Sequence, residues 1–338
     1  MFIFGGKCFL PQDLTASSGN FKRGVFMALR KVVVIAGPTA SGKSQLAVDV
    51  ARSCRGVVVN ADSMQVYPDT PVLSAIPSAA ERGGIEHCLY GVFPSSKNGT
   101  VVEWLVLAAG EIRRIWSEGK LPVVCGGTGL YIDNLINGTT PIPEAEPEVR
   151  HKVAEAAAAE GIPALHARLS TVDAVTADRL NPNDSTRVKR ALEVFYQTGV
   201  PLSVWHRRPM VQKLPEAEFV TLKILPPMAE LDERCVRRFD KMMAAGALDE
   251  VRRLKDMKLP ASLPAMKALG VPELLDFLKG NRSLEEAVGL AKLHPRQYAK
   301  RQRTWFRNKL KADVVLDECY WDWGQISDAT EIIGMVNN

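Results

Sequence analysis

Gly37-Pro38-Thr39-Ala40-Ser41-Gly42-Lys43-Ser44 decides the fold of this chain. The eight residues satisfy G-x-x-x-x-G-K-[ST] in full. Before them, Lys31-Val-Val-Val-Ile-Ala36 reads as a short buried strand. After them, Ser44 to Cys54 reads as a helix with Leu46, Ala47 and Val50 on one side. A glycine-rich turn between strand and helix aims several backbone N–H groups at one point, and the helix dipole adds positive potential there. Lys43 supplies a mobile cation and Ser44 a hydroxyl suited to magnesium. The stretch predicts a site for a diphosphate or triphosphate without saying which compound carries it.

Working outward, Gly56 to Asp62 reads as a second buried strand, Val101 to Gly119 as a helix, and Leu121 to Cys125 as a third strand. That strand runs into Gly126-Gly-Thr-Gly129 and a helix through Asn137. Strands alternating with helices predict an α/β fold of P-loop NTPase type, a parallel sheet flanked by helices. Ligands in such sheets sit at the carboxyl ends of the strands, where the P-loop, Asp62 and Gly126–Gly129 all fall. Segment 68–100, broken by Pro68, Pro71, Pro77 and Pro94, reads as loops. Pro141, Pro143 and Pro147 open an inserted helical unit over 141–208, and Phe219 to Leu225 returns as a strand. The expected organisation is a core over 31–140 and 209–315, with 1–30 and 316–338 set apart as an N-terminal segment and a C-terminal tail.

Bulk properties narrow the class. The chain has 338 residues, 46% hydrophobic and 24% charged, with net charge +5. These values suit a globular protein with a mild bias toward anionic partners. The six cysteines are scattered without a C-x-x-C pair, which argues against a zinc site and for reduced thiols in a cytoplasm. No apolar run reaches membrane-span length. Translation is expected to start at Met27, four residues before the first strand. Mass spectrometry of the native protein tests this, and a peptide spanning Phe21 to Arg30 would sink it.

Asp62 stands at a strand end beside the P-loop. A carboxylate there can hold magnesium, take a proton from an acceptor, or cap a helix beginning at Ser63. From Lys292 to Lys311 there are eight Lys or Arg residues and no acid. Arg296, Lys300, Arg303 and Arg307 fall on one helical stripe, with Tyr298, Trp305 and Phe306 on other faces, where they are expected to be packed. Such a stripe is either a solvated face or a polyanion-binding surface. Arg187 with Arg190, and Arg234 with Arg238, could each grip a phosphate or pair with nearby acids such as Glu193 or Asp240.

Six stretches together resemble the tRNA dimethylallyltransferase (tRNA isopentenyltransferase) family. They are Gly37–Ser44, Asn60-Ala-Asp-Ser-Met-Gln-Val-Tyr67, Gly126-Gly-Thr-Gly-Leu-Tyr131, Asn181-Pro-Asn-Asp-x-x-Arg-Val-x-Arg-Ala-Leu-Glu193, Arg237-Arg-Phe239, and Arg296-Gln-Tyr-Ala-Lys-Arg-Gln-x-Thr-Trp-Phe-Arg307. They occur in family order across about residues 31–310. The resemblance implies transfer of a dimethylallyl group from its diphosphate to the exocyclic amine of the adenosine 3′ to the anticodon, in tRNAs reading codons that begin with U. It implies that Gly37, Pro38, Thr39, Ala40, Ser41, Gly42, Lys43, Ser44 and Arg238 bind the diphosphate, with magnesium on Ser44. Asp62 is then the general base. Asp62, Ser63, Met64, Gln65 and Thr128 would place the adenosine. Thr186, Arg187 and Arg190, with Arg296, Lys300, Arg303 and Arg307, would contact the anticodon stem-loop. A monomer is expected. No Cys/His zinc module of the kind many eukaryotic relatives carry follows residue 312, so the bacterial form is expected.

The chain departs from the family in places. Basic residues common in relatives are missing from Leu73-Ser-Ala-Ile-Pro77 and from Glu86-His-Cys88. Lys267 to Glu273 lacks a usual Gly-Tyr-basic sequence, and Pro295 stands where a threonine is usual and could start or kink the last helix. Three rival readings remain: prenyl transfer to free AMP or ADP, a P-loop small-molecule kinase, and a non-catalytic P-loop RNA-binding protein.

Overall fold

The computed structural model describes residues 29–325 and 334–335; the expected start at Met27 and the N-terminal segment up to residue 28 lie outside them. The first half alternates as expected: β1 (Arg30–Ala36), α1 (Lys43–Ser53), β2 (Gly56–Asn60), α2 (Ala79–Arg82), β3 (His87–Cys88), α3 (Val101–Ser117), β4 (Leu121–Gly126) and α4 (Gly129–Asn137). Five helices follow: α5 (Pro147–Glu160), α6 (Ile162–Val172), α7 (Ala174–Ala177), α8 (Ser185–Thr198) and α9 (Leu202–Trp205). Then come β5 (Ala217–Ile224), α10 (Met228–Ala244), α11 (Ala247–Asp256), α12 (Val271–Leu278), α13 (Leu284–Lys309) and β6 (Val314–Leu316).

The strands form one six-stranded sheet in the order β3-β2-β4-β1-β5-β6, every pair parallel. Alternation along β1 explains how it is covered on both faces. Val32 and Val34 join Trp104, Leu105 and Ile112 of α3 and Ile132 of α4 on one side. Val33 and Ile35 join Leu46, Ala47 and Val50 of α1 on the other. A strand buried on both faces reads as continuous β-branched sequence.

Helices α5 to α8 pack around their own cluster of Val153, Leu165, Leu169, Val188 and Leu192. The chain enters and leaves this unit through a neck, where Thr139 and Val211 exchange two backbone hydrogen bonds. The C-terminal helices form a further cluster around Phe239, Val251, Leu254 and Leu274 that also takes in Leu73. Glu250, fully buried on α11, accepts the Val72 and Leu73 N–H groups at 2.7 and 3.0 Å. That carboxylate pins the 70–75 loop, although burial pushes its pKa up.

Three features differ from the sequence reading. The 68–100 segment contains the short α2 and the two-residue edge strand β3. The region set apart as a tail begins inside the sheet: Leu316 ends β6, and Tyr320 is buried against α1. Helix α13 does not start at Pro295. It starts at Leu284 behind a Ser283/Glu286 capping box and runs through the buried Pro295. A well-capped start and a packed ring outweigh one missing backbone donor. Among the described residues, no helix is long and apolar enough to cross a membrane.

Trp104 anchors α3 to the sheet. It is fully buried, stacks on Tyr131 at 4.4 Å between centroids, and donates its Nε1–H to the Asn60 carbonyl at 2.9 Å. Trp104→Ala is expected to lower stability by about 3–5 kcal/mol in urea unfolding, and Trp104→Phe by less, because only the hydrogen bond and part of the volume are lost. Equal losses would show that packing is not the main contribution.

Candidate active site at the carboxyl ends of the strands

The P-loop is a strained concave turn. Ala40 has φ 65° and Gly42 has φ 92°, both in the left-handed region, which folds the loop back tightly between β1 and α1. At Gly42 only glycine fits: any side chain would be strained at this φ, and its Cβ would lie 2.1 Å from the Tyr320 carbonyl oxygen. That segment holds the loop from outside. The Tyr320 N–H donates to the Ser41 carbonyl at 2.9 Å, and the Tyr320 hydroxyl bonds Asp49 of α1 at 2.9 Å. The Ser41 hydroxyl is fully buried without a hydrogen-bond partner. Ser44 stands exposed in the first turn of α1.

Two cations serve this loop. Lys43 donates to the Pro38 carbonyl at 3.3 Å. Its pKa is pushed below the ordinary lysine value, chiefly by burial and further by Arg238, and the Asp62 carboxylate opposes the shift. Arg238 on α10 donates to the Thr39 hydroxyl at 3.1 Å, and burial lowers its pKa also. A cation penalised by burial gains most from an arriving anion, so both shifts mark a place prepared for negative charge.

Asp62 is aimed rather than mobile. Buried Asn60 accepts the Asp62 N–H at 3.0 Å and donates to the Asp62 and Leu89 carbonyls. Asp62 Oδ1 accepts the Met64 N–H at 3.0 Å. No α-helix begins at Ser63, so the helix-cap reading fails: the carboxylate caps a turn. On the neighbouring strand, the Thr128 hydroxyl accepts the Ser63 N–H at 2.8 Å and donates to the Ser63 hydroxyl at 3.1 Å. The two strand ends approach closely. A Cβ at Gly126 would lie 2.0 Å from the Ala61 carbonyl, and one at Gly127 would lie 3.3 Å from Asp62 Oδ2.

One cleft joins these parts. Thr39, Asp62, Arg238 and Tyr298 line its polar end, and Met64, Leu73, Phe239 and Met242 its apolar wall. Tyr298, which the sequence reading packs away, lines this cleft; burial and the Asp62 charge push its pKa up. Gln65 does not face the cleft with a free amide, since it donates to the Ser74 and Ala75 carbonyls at 3.0 and 2.8 Å. Two residues with no role in the sequence reading support the site without lining its cleft: Asn60, and Gln302 of α13. Gln302 accepts the Thr39 N–H at 2.8 Å and donates to the Gly127 carbonyl at 2.7 Å. In sequence it is one of three amides, with Gln297 and Asn308, inside a basic run, and nothing local singles it out.

The basic stripe divides in two. Arg296 pairs with Asp232 of α10 at 2.8 Å, and Arg303 donates to the Pro226 carbonyl at 2.7 Å. Lys300 and Arg307 are exposed. The stripe has no acid of its own, but α10 supplies one from another part of the chain. On α8, Asp184 caps the helix through the Arg187 N–H at 3.1 Å and pairs with the Arg187 guanidinium at 3.3 Å. The Arg187 side chain remains 75% exposed, Thr186 is exposed and Arg190 half-buried.

A P-loop beside a hydrogen-bonded carboxylate, two half-buried basic side chains and an apolar wall is an arrangement suited to group transfer from an anionic leaving group. The family model described as IPP transferase matches residues 65–309, and one described as isopentenyl transferase matches residues 30–90. The chain is 48% identical to a tRNA dimethylallyltransferase of Rhodospirillum centenum, over 84% of this chain and 91% of that protein. It is 46% identical to the tRNA dimethylallyltransferase of Rhodospirillum rubrum, over 85% and 88%. Among solved structures it resembles the tRNA isopentenylpyrophosphate transferase of Bacillus halodurans, with a TM-score of 0.64, 33% identity, and 91% and 96% of the two chains covered. It also resembles a eukaryotic dimethylallyltransferase acting on tRNA, with a TM-score of 0.78, 29% identity, and 91% and 79% covered. The chain belongs to the tRNA dimethylallyltransferase family, and its fold is the P-loop NTPase-like α/β fold.

The split stripe yields a test on a polyanion column. Lys300→Ala with Arg307→Ala is expected to lower the salt needed for elution from heparin and to leave the melting temperature within a degree or two. Arg296→Ala with Arg303→Ala is expected to lower the melting temperature, because ties to α10 and β5 are cut. An unchanged elution for the first pair would remove the exposed face as a polyanion contact.

Proposed function

We propose that this chain transfers a dimethylallyl group from dimethylallyl diphosphate to the exocyclic amine of the adenosine immediately 3′ to the anticodon, in tRNAs reading codons that begin with U, and releases diphosphate. The observation that carries this reading is the cleft itself. Asp62, Thr39 of the P-loop, Arg238 and an apolar wall line one space. The diphosphate would lie in the P-loop against Lys43 and Arg238, with the allyl group along Met64, Leu73 and Phe239. The amine nitrogen attacks the allylic carbon as the carbon–oxygen bond breaks, and that electron pair leaves with the diphosphate. The amine proton passes to Asp62. Its Oδ1 is engaged by the Met64 N–H, which leaves Oδ2 to accept. Fixed cations at the leaving group matter most, because charge accumulates there in the transition state.

Magnesium fits the donor set. Ser44 offers one exposed hydroxyl, and among the described residues no group of three or more His, Cys, Asp or Glu could hold a metal alone. A hard cation that keeps its waters and takes substrate phosphate oxygens suits such a place. When bound, it supplies positive charge to the diphosphate oxygens.

The adenosine must leave the stacked anticodon loop to reach Asp62, which costs a few kcal/mol. Ser63, Met64 and Thr128 would flank it, with Gln65 acting through the 70–75 loop. Thr186, Arg187 and Arg190 of α8, with Lys300 and Arg307, would meet the stem-loop backbone. Arg296 and Arg303 would shape that surface through their ties to α10 and the end of β5. The P-loop, the base and both cations come from one chain, in keeping with a monomer. Cys54, Cys88, Cys125 and Cys235 carry free thiols, in keeping with a reducing cytoplasm.

A transfer assay tests the reading. Labelled dimethylallyl diphosphate and magnesium are mixed with unmodified anticodon stem-loop RNA, and separately with AMP. Label is expected in the RNA alone; label in AMP would move the acceptor to free nucleotides. Asp62→Asn is expected to lower the rate on the order of 10²-fold or more while RNA binding persists. An undiminished rate would remove Asp62 as the base.

A further inference from the structure

We propose that Gln302 couples the two halves of the site, so that an anion on the P-loop and a base beside Thr128 strengthen each other's binding. The inference rests on the function proposed above. Gln302 is a buried polar residue, 6% exposed, on a helix that crosses the carboxyl ends of β1 and β4. Both ends of its amide are used, and each reaches a different loop. Oε1 accepts from Thr39 of the P-loop at 2.8 Å, and Nε2 donates to the Gly127 carbonyl at 2.7 Å. Gly127 makes room for this: a Cβ there would lie 2.4 Å from Nε2.

Each anchor leads onward to a different substrate. Thr39 also receives the Arg238 guanidinium at 3.1 Å, so it sits on the anion side. Gly127 precedes Thr128, whose hydroxyl holds the Ser63 N–H beside Asp62. A continuous path of hydrogen bonds and adjacent residues therefore runs from Arg238 through Thr39, Gln302 and Gly127 to Thr128 and Ser63. The amide is the one link between the two loops in this path. Its donor and acceptor ends are distinct, so it spans an N–H and a carbonyl in one orientation only.

The Thr39 N–H belongs to the loop that would cradle the anion, yet it is held by Gln302. An anion drawing on that loop turns or stiffens the Thr39 peptide. The amide then transmits the change to Gly127, and buried, satisfied networks of this kind transmit small shifts well. Gln302 is thus a positioning residue. Its contribution lies in the coupling between ligands, not in contact with either.

The experiment measures affinity of the full chain for unmodified anticodon stem-loop RNA, with and without inorganic diphosphate and magnesium. For the wild type, diphosphate is expected to tighten RNA binding about fivefold or more, within the usual range of such couplings. RNA is expected to tighten diphosphate binding by the same factor, as reciprocity requires. In Gln302→Met, each ligand alone is expected to bind within about threefold of wild type, while the mutual effect falls below about twofold. Gln302→Leu repeats the test with a different apolar shape, and the wild-type reciprocity needs no variant. A purely structural role would change the binary affinities or the melting temperature and leave the coupling in place. Coupling retained in folded Gln302→Met, or absent from a wild type that binds both ligands, overturns the proposal. A wild type that binds neither ligand overturns the functional reading beneath it.

Discussion

The close approach of two backbones at Gly126 and Ala61 is the constraint from which the rest of the site follows. Adjacent parallel strands lie nearly 5 Å apart, yet here the chain leaving β2 bends over the end of β4 until no side chain fits between them. The Ala61 N–H bonds the Cys125 carbonyl at 2.8 Å, and the Thr128 N–H returns to the Ala61 carbonyl at 3.2 Å. These bonds turn Asp62 back over the sheet, toward the loop that follows β1. Because β4 sits between β1 and β2, this bend brings the carboxylate that follows β2 within electrostatic reach of Lys43, at the start of the helix that follows β1.

Buried charge is distributed so that the site stays poised. Lys43 and Arg238 are half-buried and make no salt bridge to a carboxylate among the described residues. Asp62, the nearest carboxylate, is held by N–H groups and by Asn60. A salt bridge would quench both sides. Under the proposed function, separating the charges and fixing each with neutral hydrogen bonds keeps the cations available to a leaving group and the carboxylate available to a proton. The buried Ser41 hydroxyl, with no partner of its own, belongs to the same pattern.

Much of this was legible in the sequence, for local reasons. The P-loop, the strands through Cys125, and the helices of the inserted unit all have short-range signals: glycine spacing, β-branched runs, caps and prolines. Lys43, Ser44, Asp62 and Thr128 follow, because strand ends in a parallel sheet converge. What was missed depends on distant partners. Arg296 and Arg303 look like a free cationic stripe because Asp232 and the Pro226 carbonyl come from another element. Tyr298 looks packed until the cleft beneath α13 is seen. Gln302 shows no sign of its role, because both its partners lie more than 170 residues away. Strand β6 is three residues long, too short for periodicity to register.

The strap formed by Cys319 and Tyr320 has a consequence for how the molecule is made. Among the earliest functional elements to be synthesised is the P-loop, and its outer side is completed by contacts across a sequence separation of 279 residues. A nascent chain therefore carries an unfinished phosphate loop until Tyr320 has emerged from the ribosome. The entropy of closing so long a loop must be met before Tyr320 can lock Ser41 and Gly42. The order of synthesis thus separates possession of the motif from possession of a working phosphate site, and the last strand and its strap act as the closing step of maturation.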